Sequence, residues 1–194
     1  MKSVTKLSLI TVILSLIFVL PGNAQDKKMT SEETRAKIKA DFGFVPNLLV
    51  EMSKSPVAPL VYTESDKIMH AAYLTQKEQQ VVQLATSVYN ACAYCTSMHS
   101  KFSELNGVSH EDVLAIRKGK KLSDKHLGNL VWITNTILDK RGHLSEKDLT
   151  KIEKMNIDRA RLYEILVHVG RKTIVNYAAH IIHPEIDDQF KFVE

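Results

Sequence analysis

Residues 90–99, Asn-Ala-Cys-Ala-Tyr-Cys-Thr-Ser-Met-His, hold both cysteines of the chain and a histidine four positions after the second. On a helix Cys92, Cys95 and His99 are i, i+3 and i+7, so their side chains project from one face. The spacing places Cys92 in the first helical turn, where unpaired backbone N–H groups and the helix dipole favour a thiolate. His99, one turn beyond Cys95, is then positioned to exchange a proton with it directly or through a water.

Several chemistries use such residues. A structural disulfide would close so short a loop that it contributes on the order of 2 kcal/mol or less. Zinc would find three ligands in Cys92, Cys95 and His99, with no second Cys/His pair at ligand spacing. Covalent haem needs a histidine directly after the second cysteine, where Thr96 stands. Thioredoxin-type exchange uses the same pair at a helix start, but in a βαβ context that this chain does not show. We carry forward a redox-active dithiol whose proton traffic runs through His99, with no metal and no cofactor expected beyond the cysteine pair itself.

The elements that must position this motif read as helices throughout. Thr30-x-x-Glu33 is a capping box opening a helix to about Ala40, and Pro46 starts a second one that carries Leu48, Leu49 and Met52. A third covers roughly 57–72. Thr75-x-x-Glu78 caps a buried amphipathic helix through Val81, Val82, Leu84, Ala85, Val88 and Tyr89. Asn90 interrupts or recaps it before the cysteine helix, from about Ala91 to Leu105, which Asn106-Gly107 stops. Ser109, Ser123, Ser145 and Asp158 are expected to cap four further helices. In the last, Leu162, Ile165, Leu166, Val169, Thr173, Tyr177 and Ile181 form the apolar stripe, ending before Pro184. No segment alternates as a strand does, so the fold class is all-α, a helical bundle with the C-x-x-C at a helix N-terminus.

At 194 residues, 44% hydrophobic and 25% charged, the chain has material for one real core, which excludes disordered and disulfide-scaffold classes. A net charge of +4 is too small for a nucleic-acid binder. Lys2 and Lys6 precede an apolar run from Leu7 to Leu20, and Gly22 and Ala24 suit a cleavage site. Residues 1–24 are therefore expected to be a signal peptide and 25–194 one exported domain, periplasmic or secreted. An uncleaved N-terminal membrane anchor is the alternative. In an oxidising compartment the two cysteines would tend toward a disulfide unless something reduces them.

The segment from Glu78 to His99, EQQVVQLATSVYNACAYCTSMH, resembles the active-site helix pair of the alkylhydroperoxidase D-like group within the carboxymuconolactone decarboxylase superfamily. Phe42-Gly43-Phe44-Val45-Pro46-Asn47, Arg141-Gly142-His143-Leu144-Ser145 and Asn176-Tyr177-Ala178-Ala179-His180 resemble it too. The resemblance implies a small helical subunit that assembles into trimers or hexamers and reduces hydroperoxides. By the same resemblance Cys95, paired with His99, matches the peroxide-attacking cysteine and Cys92 the resolving one, with a thiol reductant of unknown identity reopening the disulfide. One position departs from the pattern. Peroxidatic members carry a glutamate twelve residues before the first cysteine, and this chain has Gln80, which can orient His99 but cannot hold or release a proton.

Tyr94, between the cysteines, is a candidate source of a hydroxyl for the site, and Asn176 and His180 are polar groups on the stripe of the last helix. For each of these three, packing at the core or at a subunit contact competes with direct participation. The other histidines show no ligand spacing, and Trp132 reads as core. The leading expectation is an exported thiol peroxidase acting on a hydroperoxide, without nucleic-acid partners. The alternatives are a thiol-disulfide oxidoreductase with little peroxidase activity and a non-catalytic oligomeric binding protein with a resting disulfide.

Overall fold

The computed structural model describes residues 28–193. The expected export segment, residues 1–24, lies outside them; among the described residues no helix is long and apolar enough to cross a membrane. These residues form nine α-helices and no strand: α1 Ser31–Phe42, α2 Asn47–Met52, α3 Ala58–Met69, α4 Gln76–Tyr89, α5 Ala93–Leu105, α6 His110–Arg117, α7 Lys125–Asp139, α8 Glu146–Glu153 and α9 Arg159–Ile182. A 3₁₀ turn, Asp188–Phe190, follows.

Local chemistry sets most boundaries. Thr30 and Glu33, Thr75 and Glu78, and Ser145 and Asp148 form reciprocal capping boxes, each satisfying two otherwise unpaired backbone N–H groups. Ser109 and Asp158 cap α6 and α9. At α7 the expected cap, Ser123, gives way to Asp124, whose carboxylate accepts from the N–H groups of His126 and Leu127. Ser123 instead gives both its N–H and its hydroxyl to Asp112, tying α6 to the start of α7.

Helix α4 is the hub, packing against α5, α7 and α9. One side of it closes an apolar core in which Val81, Val82, Leu84, Leu130, Ile133 and Ile165 are all inaccessible to solvent. A second cluster, with Ile38, Leu48, Leu49, Met98, Val175 and Phe190, lies between α2, α5, α9 and the C-terminal segment, and it contains both cysteines.

The stripe expected on α9 needs correction. Leu162, Ile165 and Val169 are buried as expected, but Leu166, Tyr177 and Ile181 are exposed, Ile181 by 82%. The buried positions continue instead as Arg171, Lys172, Val175, Asn176 and Ala179. Steps of four residues overshoot a helical turn by about 40° each, so a stripe from Ile165 through Thr173 to Ile181 winds off the inner face.

Candidate active site

The corner between α4 and α5 sets the cysteines. Ala91 takes a left-handed backbone conformation, φ +54°, which ends α4 and lets α5 leave in a new direction. Cys92 is therefore not inside the first turn of α5 but is its N-cap, its sulfur accepting from the backbone N–H of Cys95 at 3.3 Å. Both thiols are free and buried, Cys95 completely.

The pair shares its protons unequally. The Cys95 thiol is held below its ordinary value, chiefly by a hydrogen bond from Cys92, with further help from the positive charge of Lys172, a hydrogen bond from Asn176 and the charge of His180, against the opposing effect of burial. Cys92 is pushed up, because it serves as donor to the Cys95 sulfur and is itself buried. The arrangement favours a Cys95 thiolate beside a protonated Cys92.

His99 is buried, and no hydrogen bond joins it to either sulfur. Its Nδ1 lies 2.8 Å from Gln80 Oε1, an acceptor, so the proton of the neutral ring sits on Nδ1 and Nε2 is left as a lone pair. Burial, followed by the charges of Lys172 and Arg171, holds its pKa well below the ordinary histidine value. Nε2 is buried and finds no partner among the described residues. Gln80, read from the sequence as able to orient His99, is the residue that its Nδ1 contacts. Glu78 is occupied elsewhere, with the Thr75 cap and with His126.

His99 and Gln80 open on a cavity of about 80 Å³, several times the roughly 10–15 Å³ that one water needs. Leu48, Leu49, Met98, Phe102, Val175 and Phe190 make its apolar wall. Tyr62, Asp66, Gln83 and Lys172 add to its polar side. The cysteines do not line it; Lys172 and His99 stand at its wall.

Tyr94 also lines the cavity, but its hydroxyl is given to Asp187 at 2.5 Å rather than to a thiol, and burial with that carboxylate raises its pKa. Asp187 also accepts from the backbone N–H of Asn47, so one carboxylate clamps α2, α5 and the C-terminal segment around the cavity. Asn176 is fully buried, accepts from Asn90, donates to the Ser87 hydroxyl at 3.5 Å, and contributes to the lowering of the Cys95 thiol. His180 is exposed and stacks on Tyr177, acting on Cys95 through its charge alone.

Sequence reasoning missed a buried polar group beside the thiols. Arg171, 5% exposed, donates to Ser65, to the carbonyl of Tyr62 and to Asp66 at 2.7 Å. Lys172, fully buried, donates to the Tyr62 hydroxyl at 3.2 Å. Both cations lie over the Tyr62 ring, at 4.5 and 5.1 Å. The signal was present in α9. Lys172 stands four residues before Asn176 and three after Val169, on the buried face of the helix.

An all-helical protein with a free, buried pair of thiols beside a partly apolar cavity is the class that fold and site define. Residues 61–119 match the sequence profile of the carboxymuconolactone decarboxylase family. No curated protein matches the chain. Among solved structures, an uncharacterized peroxidase-related protein from Ralstonia eutropha JMP134 with an alkylhydroperoxidase core superposes with a TM-score of 0.72 at 16% identity, over 82% of this chain and 86% of that one. A peroxidase-related protein from Silicibacter sp. TM1040 gives 0.67 at 13% identity, over 82% and 86%. The debrominase Bmp8, in a cysteine-to-alanine form in complex with 2,3,4-tribromopyrrole, gives 0.65 at 15% identity, again over 82% and 86%. The matched segment is similar to the carboxymuconolactone decarboxylase family, and the fold is the one these alkylhydroperoxidase-like structures share.

Proposed function

We propose that the protein is a thiol peroxidase that reduces an organic hydroperoxide through Cys95 and Cys92. The observation that carries this reading is the pair of free, adjacent thiols, of which Cys95 is favoured as thiolate next to a cavity walled by a neutral His99. The Cys95 thiolate attacks the terminal peroxide oxygen, the O–O bond breaks, and the sulfur becomes a sulfenic acid while the remaining oxygen leaves as alkoxide. The alkoxide takes up one proton, equal to the one Cys95 released on ionising; His99 Nε2 is the lone pair on the cavity wall that can accept a hydrogen bond along that path, and its low pKa keeps it from storing the proton. Cys92 then attacks the sulfenic sulfur, water leaves, and a disulfide forms. An external thiol reductant supplies the two electrons that reopen it.

Burial favours a small oxidant over a protein disulfide. With Cys92 and Cys95 at 1% and 0% exposure, a bulky partner cannot reach either sulfur without opening the fold, whereas a small molecule needs only a side-chain movement between the cavity and the thiols. The test is free thiol content before and after one equivalent of an organic hydroperoxide. Both thiols should disappear in the parent and the remaining one persist in Cys95→Ser; survival of both parent thiols on the timescale of free cysteine would sink the reading.

The same proposal includes export directed by residues 1–24, tested by N-terminal sequencing of the protein from its host. It also includes self-assembly, for which α9 supplies the argument. Tyr163, Val167, Gly170, Ile174, Tyr177 and Ile181 are all exposed and follow a four-three spacing, the period of a helix-on-helix seam. Ile174→Glu should shift the protein to a smaller species in sedimentation, and a single species of monomer mass in the parent would refute the assembly.

A further inference from the structure

The charges around the cavity do not balance. Arg171 has a carboxylate partner in Asp66, and the two cancel. Lys172 has none among the described residues: its one hydrogen bond goes to the neutral Tyr62 hydroxyl, and its side chain is fully buried. An ammonium removed from water without a counter-charge is costly, by several kcal/mol in real proteins, unless an anion joins it. In the reduced protein the Cys95 thiolate supplies part of that negative charge. Once the cysteines form a disulfide it is gone, and Lys172 faces the cavity alone.

A second group points the same way from the opposite side. His99 Nε2 is a buried lone pair without a donor among the described residues, at the wall of the same cavity. A ligand that satisfied both groups would bring an anionic oxygen to Lys172 and an O–H or N–H donor to His99. The remaining wall, Leu48, Leu49, Phe102, Val175 and Phe190, asks for an apolar body between or beside them.

We propose that the cavity binds a small amphipathic anion, an apolar molecule with one carboxylate-like head held by Lys172 and the Tyr62 hydroxyl. This rests on the thiol-peroxidase reading for one further step: if the donor to His99 is a peroxide O–H, the substrate class is a hydroperoxide that also carries a carboxylate. The binding claim itself does not need the thiols to react.

The experiment therefore uses the Cys92→Ser/Cys95→Ser protein, which has no thiol and no thiolate to compete for Lys172. Hexanoate and hexan-1-ol, equal in chain length and different in head charge, are titrated by calorimetry. Hexanoate should bind more tightly by about tenfold or more, the scale of one charge-assisted hydrogen bond. Adding Lys172→Met should erase the preference, and adding Tyr62→Phe, which keeps the ring under both cations, should reduce it. Equal binding of acid and alcohol, no binding of either, or a preference that survives Lys172→Met would overturn the proposal. The first comparison decides even if Lys172→Met does not fold. A failure here with peroxide-reactive thiols in the parent would leave the dithiol reading standing, and the reverse result would leave the anion site standing.

Discussion

The two sides on which α4 and α9 pack bury their residues under different rules. Around α7, the inner positions are Val81, Val82, Leu84, Leu130, Ile133 and Ile165, a set with no polar atom to satisfy. Around α5, the same two helices bury Gln83, Ser87, Arg171, Lys172 and Asn176, and α5 adds His99. Apolar burial stabilises in proportion to area and needs no orientation, whereas each buried polar group costs free energy unless it finds a partner. The first region thus supplies stability, and it lets the second hold an acidified thiol close to a wall that carries a neutral imidazole and an ammonium. Reactivity has been placed where the packing is least self-sufficient.

The largest expected difference between the regions is in the sign of a stability change. Leu130→Ala, in the apolar region, should cost about 2–5 kcal/mol in chemical denaturation, because it leaves a void that the surrounding helices cannot close. Lys172→Met, of similar buried volume, should be neutral or stabilising, since it removes an uncompensated charge rather than a packed one. The same change should raise the Cys95 pKa, because the cation that favours its thiolate is gone. Peroxide-driven thiol loss needs the thiolate, present above that pKa and lost as pH falls through it, so the rate profile of Lys172→Met should move to higher pH. A variant less stable than the parent, with an unmoved profile, would make Lys172 a packing residue of the ordinary kind.

How much of this was legible in the sequence follows the same division. Caps such as Thr75 with Glu78 and Ser145 with Asp148 are read from residues three apart, and the structure forms them. The C-x-x-C-x-x-x-H motif and the link from Gln80 to His99 lie on two neighbouring helices and were within reach. The polar wall was not, because Tyr62 and Asp66 on α3 meet Arg171 and Lys172 on α9 across more than a hundred residues of chain. Nor was the clamp of Tyr94 by Asp187, formed by a short segment beyond the last helix. The periodicity of α9 misled because its exposed face, with Tyr163, Ile174, Tyr177 and Ile181, is itself apolar. A helix apolar on two sides gives hydropathy no way to choose the inner one.

A smaller effect should separate the regions by pH. His168, fully buried in α9 with neither ring nitrogen partnered among the described residues, has its pKa lowered from 6.5 to about 4 by burial and then by the charge of Arg171. Below pH 6.5 the unfolded chain takes up a proton that the folded one refuses until about pH 4. Stability should therefore be fully present above pH 6.5 and be lost as pH falls toward 4, by about 3 kcal/mol for a shift of this size. His168→Leu should flatten that slope in urea unfolding at several pH values, without loss at pH 7, because no hydrogen bond is removed. A slope unchanged in the variant would assign the acid sensitivity to other groups.

The smallest change in stability, within about 1 kcal/mol, is expected for Gln80→Glu, which alters one half-buried group without changing its size. Its value lies in the chemistry of the second region. Gln80 Oε1 fixes the proton on His99 Nδ1 but cannot attract a second one to Nε2. A carboxylate at the same 2.8 Å would raise the His99 pKa from its depressed position, since it favours the imidazolium that Lys172 and Arg171 oppose. His99 could then donate from Nε2 to the departing alkoxide, and hydroperoxide-driven thiol loss should accelerate below neutral pH, where the parent is limited by its shortage of an acid. Stopped-flow measurement of that loss between pH 5 and 9 checks the outcome. An identical profile in parent and variant would remove His99 from the reaction path and leave the thiolate, with Lys172 and Asn176, as the working part of the site.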